Sequence, residues 1–459
     1  MWQPSFVYLK PSQTMRESNV KIGMFFGVIR PRQRLFACYN QDIKYMQGSG
    51  NMKILNFGSC NIDYVYDVDS IVRPGETLQV QTLKQYPGGK GLNQTIALAR
   101  ANSHVWHAGC IGEDGLFLKQ LMEDNNVHTE YLQVIDELTG QAIIQVEPTG
   151  ENCILVYGGA NVRNTKEYID QVLASFEEND FLVLQKEINN VEYIIEKAYE
   201  RKMKIVLNPS PCNEVLKRVD LNKIAYLVLN EIEATFFSEI EDPYDSVLQL
   251  IRKYPTLSVV LTLGGKGCFY TEKGMVLHHP AFKAKAVDTT AAGDTFAGYF
   301  VSCLYKGKTM AESIKIANAA AGIAIQTKGA APSIPTMDYV EEKMQTMELQ
   351  ENEGIDWKKK LVDNYLFHNI KDANLDDLAE LLHYSPSYLS RWIGANMGKP
   401  FSEILQEKRC SLAADYLKNT EMPIQTIIEE VGYNNEGFFR KIFSNMYGMM
   451  PLEYRKFKK

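Results

Sequence analysis

The residues best suited to chemistry lie at 287–296, where the sequence reads Val-Asp-Thr-Thr-Ala-Ala-Gly-Asp-Thr-Phe. A strand pattern ends there and a helical pattern begins near Ala291. Small residues let backbone N–H groups approach a phosphate closely, and the N-terminus of a helix stabilises an anion. Asp294, in the first turn, is placed to take a proton from a hydroxyl nucleophile. Taken alone, the segment also fits a plain strand-to-helix turn in which Asp294 complements the helix dipole.

A second glycine-rich segment, at 87–94, reads Pro-Gly-Gly-Lys-Gly-Leu-Asn-Gln and leads into a helix predicted over 93–101. Glycines there allow close approach to a small ligand, and Asn93 can hydrogen-bond to hydroxyl groups. Neither this segment nor 262–267 is a Walker A loop, because no Ser or Thr follows the Gly-Lys pair. A single glycine-rich turn fits a purely structural role equally well.

The elements that must position these segments alternate between strand and helix. Apolar runs rich in β-branched residues lie at 53–57, 181–184, 204–207, 226–229 and 258–263. Helical patterns lie between them, for example at 191–201 and 311–326. This alternation predicts a largely parallel sheet covered by helices on both faces. The segment 64–86 instead predicts short strands joined through Pro74-Gly75, a small β excursion from the main sheet.

Length and composition limit the class of protein. A chain of 459 residues allows about three domains at roughly 150 residues each. With 45% hydrophobic and 23% charged residues, it is neither disordered, nor collagen, nor a disulfide miniprotein. No apolar run reaches the length of a membrane span, so no membrane partner is expected. The eight scattered cysteines include no Cys-x-x-Cys pair, which argues against zinc and disulfides and predicts a cytoplasmic location.

Charge divides the chain into segments with different roles. Residues 1–51 carry a net charge of +5 and residues 355–459 of +1, so the part between them carries −13. Residues 1–51 fit either a transit peptide or an untranslated extension before a true start at Met52. Residues 336–356 hold seven acidic groups and one Lys, which predicts a helix followed by a solvated linker. The expected domains are therefore 52–335 and 357–459, joined by 336–356.

Together, the segments 87–94 and 287–296 resemble two diagnostic stretches of the ribokinase, or PfkB-like, family of sugar kinases. These stretches are Gly-Gly-Lys-Gly-x-Asn and Asp-Thr-x-Ala-Ala-Gly-Asp, about 200 residues apart and in the expected order. Further matches lie at 58–63, 158–161, 208–211, 230–233 and 328–335. The resemblance covers roughly 53–335. It implies an α/β fold with a ribokinase-like, mostly parallel central sheet, helices on both faces and a small β lid at 64–86 that closes over the sugar.

The resemblance also implies transfer of a phosphoryl group from Mg-ATP to a primary hydroxyl of a sugar, with positioning and charge stabilisation doing most of the work. Asp294 resembles the catalytic base, and Ala292, Gly293 and the Asp294 amide resemble the anion hole. The implied sugar-binding residues are Asn61, Ile62, Asp63, Gly89, Lys90, Gly91, Leu92, Asn93, Glu187 and Asp294. Of these, Glu187 also fits an ordinary surface carboxylate.

Two further sets of residues follow from the same resemblance. The implied ATP-binding residues are Asn230, Thr262, Leu263, Gly264, Gly265, Lys266, Gly267, Gly293, Asp294 and Asn318. Glu233 resembles the residue that orders a Mg²⁺-bound water near the phosphates. The implied site for an activating K⁺ consists of Asp288, Thr290, Ala324, Thr327, Gly329 and Ser333, several of them through backbone carbonyls.

The C-terminal residues show a helix-turn-helix pattern twice. Residues 375–379 begin a helix, a turn follows at 384–386 and a second helix at 387–392; the pattern recurs at 424–443, about 45 residues later. Either pattern alone fits a generic helical hairpin. The pair at this spacing, with the closing segment 448–455, resembles the AraC-type DNA-binding domain over roughly 357–457.

That resemblance implies two recognition helices, around 387–393 and 435–442, in successive major grooves of double-stranded DNA. The implied DNA contacts are Ser387, Tyr388, Ser390, Arg391, Asn435, Glu436, Arg440 and Lys441. Four positions depart from the family: Ile393-Gly394 stands where Phe-Lys is usual, Ile428 where Ala is usual and Gly437 where Ser is usual. The low net charge also weakens attraction to DNA phosphates.

The sequence therefore predicts a sugar kinase, with D-ribose as substrate, fused to a DNA-binding domain and forming a homodimer through the lid. One alternative is a transcription regulator whose kinase fold serves as a sugar sensor. Another is a related kinase for deoxyribose, fructose or a nucleoside. The presence of Asp294 and the other matched positions favours activity over sensing alone.

Overall fold

The computed structural model describes residues 52–350, except Gln81 and Gly150, and residues 357–458. The expectations for residues 1–51 and for the acidic stretch 351–356 therefore lie outside the described residues. The described residues form thirteen strands, numbered along the chain: β1 Ile54–Phe57, β2 Asn61–Asp67, β3 Thr82–Gly88, β4 Val105–Ile111, β5 His128–Val134, β6 Gly140–Val146, β7 Asn152–Tyr157, β8 Phe181–Gln185, β9 Lys204–Asn208, β10 Tyr226–Asn230, β11 Ser258–Thr262, β12 Cys268–Glu272 and β13 Met275–His279.

Helices cover both faces of the sheet and make up the whole C-terminal region. Within the described residues they are α1 Lys90–Arg100, α2 Leu116–Asp124, α3 Lys166–Leu173, α4 Val191–Glu200, α5 Glu231–Ser238, α6 Pro243–Lys253, α7 Ala292–Tyr305, α8 Met310–Ala324, α9 Ala330–Ser333, α10 Met337–Met344, α11 Trp357–Asn369, α12 Leu375–Leu381, α13 Pro386–Met397, α14 Phe401–Asn419, α15 Ile424–Glu430, α16 Glu436–Tyr447 and α17 Pro451–Lys458. None of these helices is both long enough and apolar enough to cross a membrane.

The main sheet has the strand order β13-β12-β11-β10-β9-β8-β1-β4-β5. The strands from β11 to β5 in this order run parallel, whereas β12 and β13 pair antiparallel at one end. A strand covered on both faces needs apolar residues at every position, and all five residues of β8 are buried. The predicted mostly parallel α/β fold is confirmed. The carboxyl ends of β1, β8, β10 and β11 bring the candidate site residues to one edge of this sheet.

The glycine-rich segment 87–94 differs from its prediction, since α1 begins at Lys90 rather than at position 93. Gly91 lies inside the first turn, and a Cβ on it would stand 2.2 Å from the backbone nitrogen of Ser59. The helix therefore starts early because Gly91 lets its first turn touch the end of β1, a contact that helical periodicity does not encode.

The β excursion is also larger than the segment 64–86 suggested. A second sheet has the order β3-β2-β6-β7, and β6 pairs parallel with β2, with Asn61 opposite Gly140. Strands β6 and β7 come from 140–157. Because this pairing joins residues far apart in the chain, the local pattern at 64–86 did not reveal half of the sheet.

The C-terminal region is all-helical, as expected. Helices α12 and α13 form the first helix-turn-helix, α15 and α16 form the second, and the 19-residue helix α14 joins them. Ile393 is fully buried where the family carries Phe, and Ile428 is 1% exposed. The departures at 393 and 428 are therefore core residues. In the predicted linker, α10 is followed by residues 348–350, whose backbone pairs with residues 281–283.

Candidate active site

Asp294 lies in the first turn of α7, buried to 5% exposure. Residue Ala291 precedes the helix with φ at 59°, and no side chain caps its N-terminus. The N–H groups of Gly293 and Asp294 are therefore available to an anion, whereas the Ala292 N–H donates to the Thr289 carbonyl at 3.2 Å. The space beside Gly293 is open, because no atom lies within 4 Å of where its Cβ would be. This arrangement suits a phosphoryl group that passes over Gly293 towards Asp294.

Two side chains from α1 hold the Asp294 carboxylate. Asn93 Nδ2 donates to Oδ2 at 3.1 Å, and Gln94 Nε2 donates to Oδ1 at 3.0 Å. Gln94 in turn accepts from Gln185 Nε2 at 2.7 Å and donates to Asn208 Oδ1 at 3.2 Å. These hydrogen bonds orient the carboxylate. Gln94, Gln185 and Asn208 received no role from the sequence, although Gln94 directly follows the assigned Asn93.

Four titratable groups act on one another at this site: Asp294, Glu187, Lys90 and Asp63. Glu187 accepts from Ser59 Oγ at 2.5 Å and from the Lys90 backbone N–H at 2.9 Å. The charge of Asp294 raises the pKa of Lys90, with Glu187 acting in the same direction. Burial, with the charges of Glu187 and Asp294, raises the pKa of Asp63 to about 7. Burial likewise raises the pKa of Glu187. Glu187 therefore belongs to the site and is not a detached surface carboxylate.

Asn61 is held in place by Asn161, a residue without a predicted role. Asn161 Nδ2 donates to Asn61 Oδ1 at 2.7 Å, and Asn161 Oδ1 accepts from the Cys60 backbone N–H at 2.9 Å. The buried Oδ1 of Asn93 has no hydrogen-bond partner, which suits a ligand that donates from a hydroxyl group. The side chains of Ile62 and Leu92 pack into the apolar core, with 1% and 0% exposure, so only their backbone can face a ligand.

Close backbone contacts shape the pocket around these residues. Gly89 has φ at 93°, a conformation that favours glycine, and a Cβ on it would stand 2.9 Å from the Asn61 backbone nitrogen. A Cβ on Gly88 would stand 2.0 Å from Asp63 Oδ2. Gly88 was not among the predicted sugar-binding residues, although it lies in the same glycine-rich segment. Gly88 therefore lets the segment lie against the Asp63 carboxylate, and Gly89 lets it lie against the backbone of residues 60 and 61.

Of the predicted ATP-binding residues, Asn230 and the segment 262–267 lie at the ends of β10 and β11, where Asn230 pairs with Thr262. Gly293 and Asp294 lie on α7. The turn that follows β11 is closed by the Leu263 N–H donating to the Gly267 carbonyl at 2.8 Å. No atom lies within 4 Å of where a Cβ on Gly264 or Gly265 would be, so this turn presents open backbone. Asn318, on α8, lies 3.1 Å through Nδ2 from His279 Nδ1.

Glu233 has a structural role that the sequence did not reveal. The Asn230 side chain accepts from the Glu233 backbone N–H at 3.0 Å, and Glu233 Oε2 accepts from the Asn230 N–H at 2.9 Å. This capping box fixes the start of α5. Glu233 is 4% exposed and its charge raises the pKa of Lys90, after the larger effect of Asp294. The carboxylate is therefore both held in place and close to the other charged groups.

The six residues predicted for a monovalent cation lie on two segments that Asp288 ties together. Asp288 Oδ1 accepts from the Thr290 N–H and Oδ2 from the Gly329 N–H, each at 2.9 Å. Although burial opposes the change, these hydrogen bonds lower the pKa of Asp288, which keeps it ionised. Ser333 Oγ donates to the Ala330 carbonyl at 2.8 Å, and the Ala324 carbonyl accepts from Thr327 N–H at 3.1 Å. Carboxylate and carbonyl oxygens are the donors that hard cations prefer.

The two predicted recognition helices differ in how freely their side chains meet solvent. On α13, Ser387, Ser390 and Arg391 are exposed, whereas Tyr388 is half-buried beside Lys358. On α16, Glu436 forms an ion pair with Arg440. Asn435 caps this helix by accepting from the Phe438 N–H at 2.9 Å, and Lys441 is exposed. The ion pair reduces the net positive charge that α16 offers to DNA.

Known protein families match both domains of this chain. The sequence profile of pfkB family carbohydrate kinases matches residues 51–337, more than half of the chain. This chain belongs to the pfkB family. A second profile, of a helix-turn-helix domain, matches residues 378–456. The chain is therefore an ATP-dependent sugar kinase joined to an AraC-type DNA-binding domain, as the two resemblances implied.

Among similar family members is the ribokinase of Haemophilus influenzae, which is 36% identical over 288 residues, covering 61% of this chain and 94% of the relative. The ribokinase of Staphylococcus aureus is 36% identical over 303 residues, covering 63% and 98%. A solved structure of Cryptococcus neoformans ribokinase with ADP matches with a TM-score of 0.57 and 34% identity, covering 64% of this chain and 99% of that one. A solved structure of Arabidopsis thaliana ribokinase with ribose and ATP matches with a TM-score of 0.57 and 26% identity, covering 64% of this chain and 99% of that one.

Proposed function

We propose that this chain phosphorylates D-ribose to D-ribose 5-phosphate with Mg-ATP, that its C-terminal domain binds a specific DNA sequence, and that the two activities are coupled. One observation carries the kinase assignment: Asp294, held by Asn93 and Gln94, faces the carboxylates of Asp63 and Glu187 at an uncapped helix N-terminus. The relatives named as ribokinases support ribose as the substrate.

The reaction follows from these positions. Asp63, Glu187 and Asn61 bind hydroxyl groups of the sugar and orient its primary hydroxyl towards Asp294. Asp294 takes the hydroxyl proton while the oxygen forms a bond to the γ-phosphorus, and the bond to the ADP oxygen breaks. The amides of Gly293 and Asp294 stabilise the charge on the transferring phosphoryl group.

The predicted cations fit the residues present. Mg²⁺ bound with ATP neutralises charge on the phosphates, and Glu233 would hold one of its waters, since the capping box fixes that carboxylate at the site. K⁺ would be held by the Asp288 carboxylate and by backbone carbonyls of the segment 324–333. Its role would be to fix the loop that leads into the anion hole.

Dimer formation through the lid has support from one exposed strand. β7 is one of the two edges of the predicted lid, the sheet β3-β2-β6-β7, and all six of its residues are exposed. Leu155 and Val156 are 61% and 63% exposed, an unusual arrangement for apolar residues on an edge strand. A second copy of this chain would cover that edge. Sedimentation equilibrium should show a dimer that Val156→Asp dissociates; a monomeric wild type would contradict the proposal.

The test of the kinase is ADP release across a panel of ribose, deoxyribose, fructose and nucleosides, with and without K⁺. We expect turnover on ribose that K⁺ increases and that Asp294→Ala removes. The panel includes deoxyribose because a deoxyribokinase of Salmonella typhi is 29% identical over 304 residues. Sugar binding without turnover would support the sensor alternative, and turnover on another sugar would reassign the substrate.

A further inference from the structure

The DNA-binding domain packs directly onto the kinase domain at the outermost strand of the main sheet. α11 lies against β13, where Asn364 Oδ1 accepts from the Val276 backbone N–H at 3.2 Å. Lys360, on the same helix, pairs with Asp242 at 2.9 Å and with Asp245 at 2.8 Å. Apolar residues of α11 belong to the same buried cluster as one face of the main sheet. α11 thus covers an edge that would otherwise be exposed.

One contact at this interface leads back to the predicted ATP-binding turn. His278, on β13, is 3% exposed, and its Nε2 lies 2.8 Å from the carbonyl oxygen of Lys266. On its other side the imidazole stands 4.1 Å, between ring centroids, from Trp357 at the start of α11. A displacement of the 264–267 turn therefore reaches the first helix of the DNA-binding domain through a single side chain.

The next residue makes a second contact of the same kind. His279 is 2% exposed and lies against Asn318, the predicted nucleotide residue on α8. Its ring is 4.8 Å from that of His383. Successive residues of a strand point to opposite faces of the sheet. β13 therefore links the nucleotide side of the kinase to the DNA-binding domain on both of its faces.

His383 occupies a position that would favour glycine. It lies in the turn between α12 and α13 with φ at 59°, whereas Gly432 holds the corresponding turn of the second helix-turn-helix with φ at 85°. Glycine adopts this conformation without strain. The turn alone therefore gives no reason for histidine. The contact with His279 does give one, and the turn leads directly into the first recognition helix.

The linker adds a third contact in the same place. Lys283 N–H donates to the Glu348 carbonyl at 2.8 Å, and Gln350 N–H donates to the Ala281 carbonyl at 2.7 Å. A Cβ on Gly267 would stand 2.0 Å from the His279 carbonyl oxygen. The turn, the end of β13 and the linker are thus closely packed, and packed segments transmit a shift rather than absorb it.

We propose that binding of an adenine nucleotide to the kinase site changes the DNA affinity of the C-terminal domain, through the His278–Trp357 and His279–His383 contacts. This inference rests on the proposed function, and it names the nucleotide, rather than the sugar alone, as the ligand to which DNA binding responds. Since coupling is reciprocal, DNA changes the affinity for ADP by the same factor.

The experiment uses the full chain and a fluorescent duplex that the chain has selected from a random-sequence library. The Kd for this duplex is measured by anisotropy without ligand, with Mg-ADP, and with ribose alone. We expect Mg-ADP to change the Kd by about fivefold or more, in the usual range of coupling between sites, and ribose alone to change it less than about twofold. Hydrogen exchange over residues 375–397 should respond to Mg-ADP as well.

His383→Gly isolates the contact, because glycine suits the turn and removes only the imidazole. The variant should retain kinase turnover and DNA binding, while the Mg-ADP effect on the Kd falls below about twofold. His128→Ala is the matched control, since His128 is exposed on β5 and lies in a different part of the kinase sheet. It should keep the full Mg-ADP effect.

Each outcome decides between the two proposals. If ADP and DNA both bind and the Kd stays unchanged with ADP, this inference is overturned, whereas the proposed kinase and DNA-binding activities stand. An undiminished ADP effect in His383→Gly overturns the role of the His279–His383 contact, and a full effect of ribose alone overturns the choice of nucleotide. If no nucleotide binds, or no duplex is selected, the proposed function fails and the inference fails with it.

Discussion

Asp63 gives the sharpest quantitative prediction, because the geometry of the sugar pocket makes it costly to ionise. Burial, with the charges of Glu187 and Asp294, raises its pKa from 3.8 to about 7. Asp63 holds its proton more tightly in the folded chain than in the unfolded one. Its contribution to stability is therefore complete below about pH 4 and is lost as the pH rises towards 7.

The magnitude follows from these two pKa values. Each unit of pH between them changes the free energy of unfolding by about 1.4 kcal/mol. Between pH 5 and pH 8 the wild type should lose ~2–3 kcal/mol that an uncharged side chain would not lose. Asp63→Asn keeps the shape of the side chain and removes its charge. Between pH 5 and pH 8 the free energy of unfolding of the variant should therefore rise by this amount relative to that of the wild type. The variant should bind ribose poorly.

Urea unfolding at pH 5 and pH 8, followed by circular dichroism, measures the difference between variant and wild type. The shared C-terminal domain contributes equally to both chains and cancels in that difference. Asp67→Asn is the matched control on the same strand. The Asp67 side chain is 41% exposed, and hydrogen bonds from Thr82 and Lys84 lower its pKa, so it is ionised in both states throughout this range. A difference for Asp63→Asn that stays flat with pH would refute the argument from burial.

Three further substitutions test the site and the DNA-binding domain. Asn161→Ala removes the donor to Asn61 and should raise the KM for ribose roughly tenfold, the cost of about one buried hydrogen bond, with the KM for ATP as the internal control. Gly88→Ala should displace the Asp63 side chain and raise the KM for ribose at least about tenfold. An unchanged KM for ribose would contradict the close contact between Gly88 and Asp63. Arg409→Ala removes hydrogen bonds to the carbonyls of residues 370 and 371 and the contact with the ring of Tyr433. The substitution should lower the unfolding free energy of the C-terminal domain by about 2 kcal/mol. Calorimetry that detects no loss of stability would exclude a stabilising role for Arg409.

Some parts of the architecture are predictable because they depend on near neighbours in the chain. The alternation of apolar strands with helices predicts the parallel sheet, since a strand buried on both faces needs apolar residues at every position. The paired helix-turn-helix patterns predict the C-terminal fold in the same way. The start of α1 was misplaced because a helix that touches another backbone at Gly91 depends on a distant contact, not on periodicity.

The candidate site shows the same division. The sequence marked Asp294, Asn93 and Glu187 through two glycine-rich segments and the family they resemble. It did not reveal the roles of Gln94 and Asn161, because the role of a hydrogen-bonding side chain depends on which residue it contacts in the folded chain. Asn161 and Asn61 are 100 residues apart, and Gln94 and Asp294 are 200 residues apart.

The sequence by itself determined the fold class, the family and the order of the domains, because each is written in local patterns and motifs. Only the tertiary structure decided how the charges in the sugar pocket act on one another, since a pKa depends on burial and on distances between atoms. It also decided that His279 meets His383. That contact joins two domains across 104 residues of chain, and no local pattern on either side of it specifies the partner.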